Sequence, residues 1–128
     1  FPVQSGSNKV LKEMKRNYKV EEFEEIVKSF RKEIPEMTIS TDIIVGFPTE
    51  TYEDFKETIN LVKRIKFEVM HISKFASRPM TIASKLKPLD SSLIKKRSTE
   101  LTKVYLETRA EAIKTRSELT KKLKVIQN

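Results

Sequence analysis

Met37-Thr38-Ile39-Ser40-Thr41-Asp42-Ile43-Ile44-Val45-Gly46-Phe47 is rich in β-branched residues, free of proline and closed by a glycine, and it reads as a β-strand. Successive side chains point to opposite faces. Ile39, Thr41, Ile43, Val45 and Phe47 make one face, largely apolar, which should pack on helices. Ser40, Asp42, Ile44 and Gly46 make the other, a mixed face that should line an interior or a site. Gly46-Phe47-Pro48-Thr49-Glu50 then turns the chain. Thr51 can cap a helix, with Asp54 placed to complete a capping box. The helix that follows carries Phe55, Thr58, Ile59, Val62 and Ile65 on one side.

Working outward, Phe67–Phe75 predicts a second strand, with Val69, His71, Ser73 and Phe75 on one face and Met70 and Ile72 on the other. A loop over 76–90 contains Pro79 and Pro88. Asp90 or Ser91 caps a long helix to about Lys124, striped with Leu101, Val104, Tyr105, Thr108, Ala112, Leu119 and Leu123. On the N-terminal side, Val20–Glu33 predicts a helix whose stripe is Phe23, Ile26, Val27, Phe30 and Ile34, ended by Pro35. Ser7 caps a short helix over Asn8–Lys15, and Phe1–Ser5 reads as a strand end broken by Gly6. A chain that opens inside a strand reads as an excised piece.

Strands alternating with amphipathic helices pair in parallel through right-handed crossovers. A doubly wound sheet and three units of a βα barrel both satisfy this order. A full barrel needs about 250 residues, so a barrel reading makes this half of one.

The 128 residues are 38% hydrophobic and 34% charged, as expected of one globular domain. No apolar run approaches the roughly 20 residues that span a bilayer. With no cysteine, the chain has no disulfide, no thiol catalyst and no cysteine ligand for zinc or an iron–sulfur cluster. The net charge of +8 is uneven: residues 1–90 hold 16 Lys/Arg against 14 Asp/Glu, and residues 91–128 hold 10 against 4. A basic C-terminal segment can attract RNA, although a solvated helix face has the same composition.

Sites in parallel βα folds lie at the C-terminal ends of strands. Here those ends are Gln4-Ser5-Gly6, Val45-Gly46-Phe47-Pro48 and Lys74-Phe75-Ala76, and both glycines of the chain fall there. A glycine in such a place permits an unusual backbone angle or the close approach of a ligand; a tight turn alone would also explain it. Asp42 is expected as a buried aspartate bonded to neighbouring backbone or hydroxyls, with a ligand role as the alternative, and His71, the single histidine, as a satisfied core residue. Glu50 and Glu53 are expected to complement a helix N-terminus. No metal-binding spacing, phosphate loop or dinucleotide fingerprint is present.

Several segments, in order, resemble the radical-SAM methylthiotransferases. They are Pro2-Val3-Gln4-Ser5-Gly6-Ser7 with Val10-Leu11-Lys12 and Met14-Lys15-Arg16, then Thr41-Asp42-Ile43-Ile44-Val45-Gly46-Phe47-Pro48-Thr49-Glu50-Thr51 with Asp54-Phe55. Arg78-Pro79, Thr81, Ala83, Lys95-Lys96-Arg97-Ser98 and Leu101 continue the likeness. The resemblance implies half of a TIM-like βα barrel over residues 1–90, made of three parallel βα units. It also implies a long basic helix over 91–128 leading towards an RNA-binding β-barrel. It implies S-adenosylmethionine (SAM) as cofactor, with Gln4, Ser5 and Gly6 near its ribose and methionine, Ile44 and Gly46 against its adenine, and Phe75 at the adenine edge. The 4Fe-4S clusters of such enzymes are held by cysteines that these residues lack, so the isolated chain is expected to be inactive. Family members insert a methylthio group, usually at adenosine 37 of tRNA, while one relative modifies a ribosomal-protein aspartate instead; the resemblance implies a cytoplasmic enzyme. The resemblance assigns no contact to Asp42 or Arg16. Thr49 and Met80 stand where the family often has glycine. The Thr49 variant is compatible with archaeal and eukaryotic-type members that act on threonylcarbamoyl-adenosine. Two readings compete with an enzyme piece: an RNA-binding module using the basic helix, and a half-barrel that forms a dimer or swapped assembly through bare strand edges.

Overall fold

The structure, a computed structural model, describes residues 2–76 and 85–127, with side chains up to residue 124. Its elements are α1 (Asn8–Glu13), α2 (Val20–Glu33), β1 (Ser40–Val45), α3 (Tyr52–Ile65), β2 (Val69–Lys74) and α4 (Ser91–Gln127). The strands β1 and β2 pair in parallel, with Ser40 opposite Val69 and Val45 opposite Lys74.

The expected first strand is reduced to one residue. Gln4 forms a parallel bridge with Ile43 on the side of β1 away from β2. Its N–H donates to Asp42 O at 2.9 Å, and its carbonyl accepts from Ile44 N at 2.9 Å. Ser5 N then donates back to Val3 O at 2.9 Å, closing a three-residue turn on Gln4, whose φ is 68°. That left-handed backbone ends the ladder. The described residues therefore contain two parallel strands and one bridge, and three βα units are not seen.

Helix α1 also stops sooner than its sequence predicts. Lys15 is left-handed at φ 61°; its N–H donates to Lys12 O and Arg16 N donates to Leu11 O, both at 2.9 Å. These are the paired bonds of a Schellman ending, which satisfies the last carbonyls and redirects the chain. The capping box on α3 forms as expected: Thr51 Oγ1 accepts from Asp54 N at 3.1 Å, and Asp54 Oδ2 accepts from Thr51 N at 2.9 Å. At the other end of α3, Arg31 donates to the carbonyls of Ile65 and Lys66.

One core joins these elements. Thr41, Ile43 and Val45 of β1 are buried, as are Phe55, Thr58, Ile59, Leu61, Val62 and Ile65 of α3. Phe23, Val27, Phe67, Met70 and Leu101 join it, with Val3, Leu11, Val20 and Ile39. Burying a side chain such as Phe55 or Phe67 stabilises by roughly 2–3 kcal/mol relative to exposure. The α2 stripe is only half used: Phe23 and Val27 are buried, while Ile26, Phe30 and Ile34 are 42–50% exposed.

Helix α4 lies along this core and is fastened at intervals. Tyr105 Oη accepts from Met70 N at 3.2 Å, Arg109 Nε donates to Glu68 O at 3.1 Å, and Arg116 Nε donates to Glu36 O at 2.9 Å. Among the described residues nothing covers the opposite face of the sheet. Ser40, Asp42, His71 and Ser73 are exposed there, and Ile44 is half-buried. Asp42 and His71 are therefore neither the buried aspartate nor the core histidine expected. Both sit at alternate positions facing away from the helices, where hydration removes the cost of burial.

Candidate functional site

The strand ends are assembled by α3 and α4. Thr58 of α3 receives the first of them: Gly6 N donates to Thr58 Oγ1 at 2.8 Å, and the Ser5 hydroxyl lies 3.5 Å from the same oxygen. A Cβ on Gly6 would stand 2.5 Å from Thr58 Cα and 2.6 Å from Glu57 O, so the glycine is what lets the turn touch the helix backbone. Ser7, the N-cap of α1, donates to Asp54 Oδ1 at 2.9 Å, and Lys9 Nζ sits 2.7 Å from Asp54 Oδ2. Burial pushes the Asp54 carboxyl up, but bonds from Lys9, Thr51 and Ser7 outweigh it and hold the group below the usual aspartate value.

The end of β1 is clamped from α4. Gly46 has φ 89°, and a Cβ there would meet the Ile94 side chain at 2.6 Å. Four residues on, Glu50 directly precedes the N-cap of α3, near the helix N-terminus as expected, but it is buried at 3% exposure. Its Oε1 accepts from Gly46 N at 3.2 Å and from Arg97 Nη1 at 2.9 Å, and Arg97 Nη1 also reaches Glu50 O at 2.9 Å. Burial raises the Glu50 carboxyl despite the opposing pull of the Gly46 N–H and Arg97. Glu53 stays exposed in the first turn of α3, where it can complement the helix dipole.

The end of β2 joins the same place. Phe75 N donates to Val45 O at 2.8 Å, and the Phe75 ring meets Phe47 edge-on with centroids 5.1 Å apart. An open groove of about 500 Å³ beside it is lined by Lys74, Phe75, Ser91, Ser92, Ile94 and Lys95.

Backbone bonds thus bring Gln4, Ile44 and Phe75 to neighbouring positions across one sheet end, and Gly46 adjoins them. Ser5 and Gly6 lie against α3. The side-chain oxygen Oε1 of Gln4 is buried and has no hydrogen-bond partner among the described residues. A buried acceptor without a donor, on a left-handed non-glycine residue, is the kind of local cost that clusters where ligands bind. Arg16 is exposed. Arg78, Pro79, Met80, Thr81 and Ala83 lie outside the described residues. Sequence reasoning missed the roles of Arg97, which lies in the basic Lys95-Lys96-Arg97 run, and of Ile94 just before it, and it missed the Ser7–Asp54–Lys9 contacts. Among the described residues no cluster of His, Asp and Glu could hold a metal ion. The cysteine-free sequence offers a 4Fe-4S cluster no thiolate. The lining fits a nucleoside cofactor such as SAM: it offers a buried acceptor without a partner among the described residues, a half-buried apolar strand position and an aromatic edge.

The family model of the Radical SAM superfamily matches residues 1–62. The chain is 47% identical over 126 residues to the probable threonylcarbamoyladenosine tRNA methylthiotransferase of Pyrococcus horikoshii, covering 98% of this chain and 29% of that protein. It is 47% identical over 104 residues to the threonylcarbamoyladenosine tRNA methylthiotransferase of Drosophila melanogaster, covering 81% and 19%. It is 54% identical over 85 residues to the tRNA-2-methylthio-N(6)-dimethylallyladenosine synthase of Thermosipho melanesiensis, covering 66% and 20%. The chain spans under a third of the length of these relatives.

Proposed function

The chain belongs to the radical-SAM methylthiotransferase family, and we propose that it forms the second half of the βα barrel in a longer tRNA methylthiotransferase. On this reading residues 1–90 are barrel and residues 91–128 are the helix that leads towards an RNA-binding β-barrel. The parent enzyme acts in the cytoplasm on tRNA and modifies the threonylcarbamoyl form of adenosine 37. SAM bound with a 4Fe-4S cluster held elsewhere in the parent would supply the radical that removes hydrogen from C2 of the adenine.

The residues here bind and orient. Gln4 Oε1 accepts a ribose hydroxyl, Ile44 supports the adenine face, and Phe75 closes its edge. Ser5 and Gly6 hold their turn on α3, and Gly46 lets the chain leave β1 at a positive φ. The single observation that carries this assignment is Gln4, whose buried acceptor has no partner among the described residues and whose backbone is left-handed. Substituting Gln4→Ala in the parent enzyme should weaken S-adenosylhomocysteine binding about tenfold, the worth of one well-placed hydrogen bond in a dry site. Calorimetry measures this, and an affinity within twofold of wild type rejects the role.

Two further readings have observations behind them. The uncovered sheet face and the outer edge of β2 favour self-association of the isolated chain as a dimer or swapped assembly. Exposed Lys121, Lys122 and Lys124 on α4 favour RNA contact.

A further inference from the structure

Arg97 is 5% exposed, on a helix that the charge pattern presents as solvated. Its guanidinium reaches back across 47 residues of sequence to the turn that follows β1. One nitrogen, Nη1, holds both the backbone carbonyl and the carboxylate of Glu50, and that carboxylate holds Gly46 N. The other end of the turn is held by the same face of α4, where Ile94 fills the space beside Gly46. The guanidinium also lies 5.7 Å from the Phe55 ring, against the first turn of α3. Turn 46–50 therefore has three fixed points, and two of them come from α4.

This arrangement is expensive to build. Glu50 and Arg97 are both desolvated, and the buried Arg97 Nε has no partner among the described residues. A buried pair of this kind adds little net stability over a well-packed apolar pair. What it adds is geometry, because one guanidinium nitrogen fixes two acceptors of the same turn residue at once. The backbone it fixes is the segment directly after Ile44 and Gly46, one bond from Phe75 through Val45 O.

We infer that Arg97 is a positioning residue: by holding Glu50, it sets the turn after β1 in the shape that accepts the adenosyl part of SAM. The inference rests on the cofactor reading above. Helix α4 is then part of the cofactor pocket's frame as well as the lead towards the next domain.

The test uses the parent enzyme and three proteins: wild type, Arg97→Lys and Glu50→Gln. Lysine keeps the charge but ends short of the Nη1 position and lacks the guanidinium beside the Phe55 ring, and glutamine keeps the acceptor oxygen but not the charge. Each is measured for S-adenosylhomocysteine affinity, melting temperature, and amide hydrogen exchange at Gly46 and Glu50. The expected result is affinity about tenfold weaker or worse for Arg97→Lys, with a smaller loss for Glu50→Gln. Faster exchange at Gly46 and Glu50 should accompany it, with protection in the α3 core unchanged. Faster exchange with affinity inside twofold of wild type overturns the inference, because the turn would then be loose without consequence. If Arg97→Lys does not fold, Glu50→Gln decides by the same two readings. Wild-type enzyme that binds no S-adenosylhomocysteine rejects the cofactor reading itself, and the inference with it. Wild type that binds while both variants match it rejects the inference alone.

Discussion

Glu50 and Asp54 flank the capping Thr51, and acid acts on them in opposite senses. Asp54 is held below its ordinary value by its Lys9, Thr51 and Ser7 partners, so the folded state binds its proton later than the unfolded chain does. Its contribution is complete above the usual aspartate value, near pH 4, and is lost as pH falls through that value towards the lower folded one. Glu50 is raised by burial, so protonation relieves a cost and its contribution runs the other way on acidification. Asp54→Asn should lower stability by about 1 kcal/mol at neutral pH, through the lost cap and the lost Lys9 pair. It should also flatten the fall in melting temperature as pH drops below about 4. Thermal unfolding across that range checks it, and a variant whose acid limb parallels wild type removes Asp54 from the account. At this scale the capping box was legible in the sequence, because its partners are three residues apart. The bonds from Ser7 and Lys9 were not, since their separation of more than 40 residues leaves no local pattern.

At the scale of elements, α4 divides by what touches it. From Ile94 to Arg116 it is fastened to the β1 turn, to β2 and to the carbonyl of Glu36. Beyond that, Lys121, Lys122 and Lys124 are exposed, with no salt bridge described. Neutralising those three lysines should reduce the slope of log affinity against log salt for tRNA by roughly two to three in the parent enzyme, as expected of phosphate contacts. Filter binding at several salt concentrations measures the slope, and an unchanged slope excludes α4 as a phosphate-binding surface. Melting temperature should stay within about a degree, because exposed lysines contribute little to folding. The apolar stripe of α4 was readable from its spacing. Arg97 was not, because a buried arginine and a solvated one look alike in a basic run.

At the scale of the whole molecule, the sheet is unusual for a parallel one. Such sheets are normally covered on both faces. Here the face bearing Ser40, Asp42, His71 and Ser73 is open, and Ile26, Phe30 and Ile34 add an exposed apolar row on α2. In a closed barrel the open face becomes the interior and the row on α2 meets a neighbouring helix. The isolated chain should therefore associate: sedimentation at high concentration should show a dimer or larger species, and Phe30→Glu should shift it towards monomer. A clean monomer at millimolar concentration contradicts this. By itself, the sequence determined the two strands, the buried faces of β1 and α3, the capping box and the family likeness, because each depends on residues a few positions apart. Only the tertiary structure decided that Gln4 ends its strand in a left-handed turn, that Gly6 is needed by α3, and that Arg97 clamps Glu50. Each of those depends on what the folded chain places opposite the residue, and no spacing along the sequence encodes it.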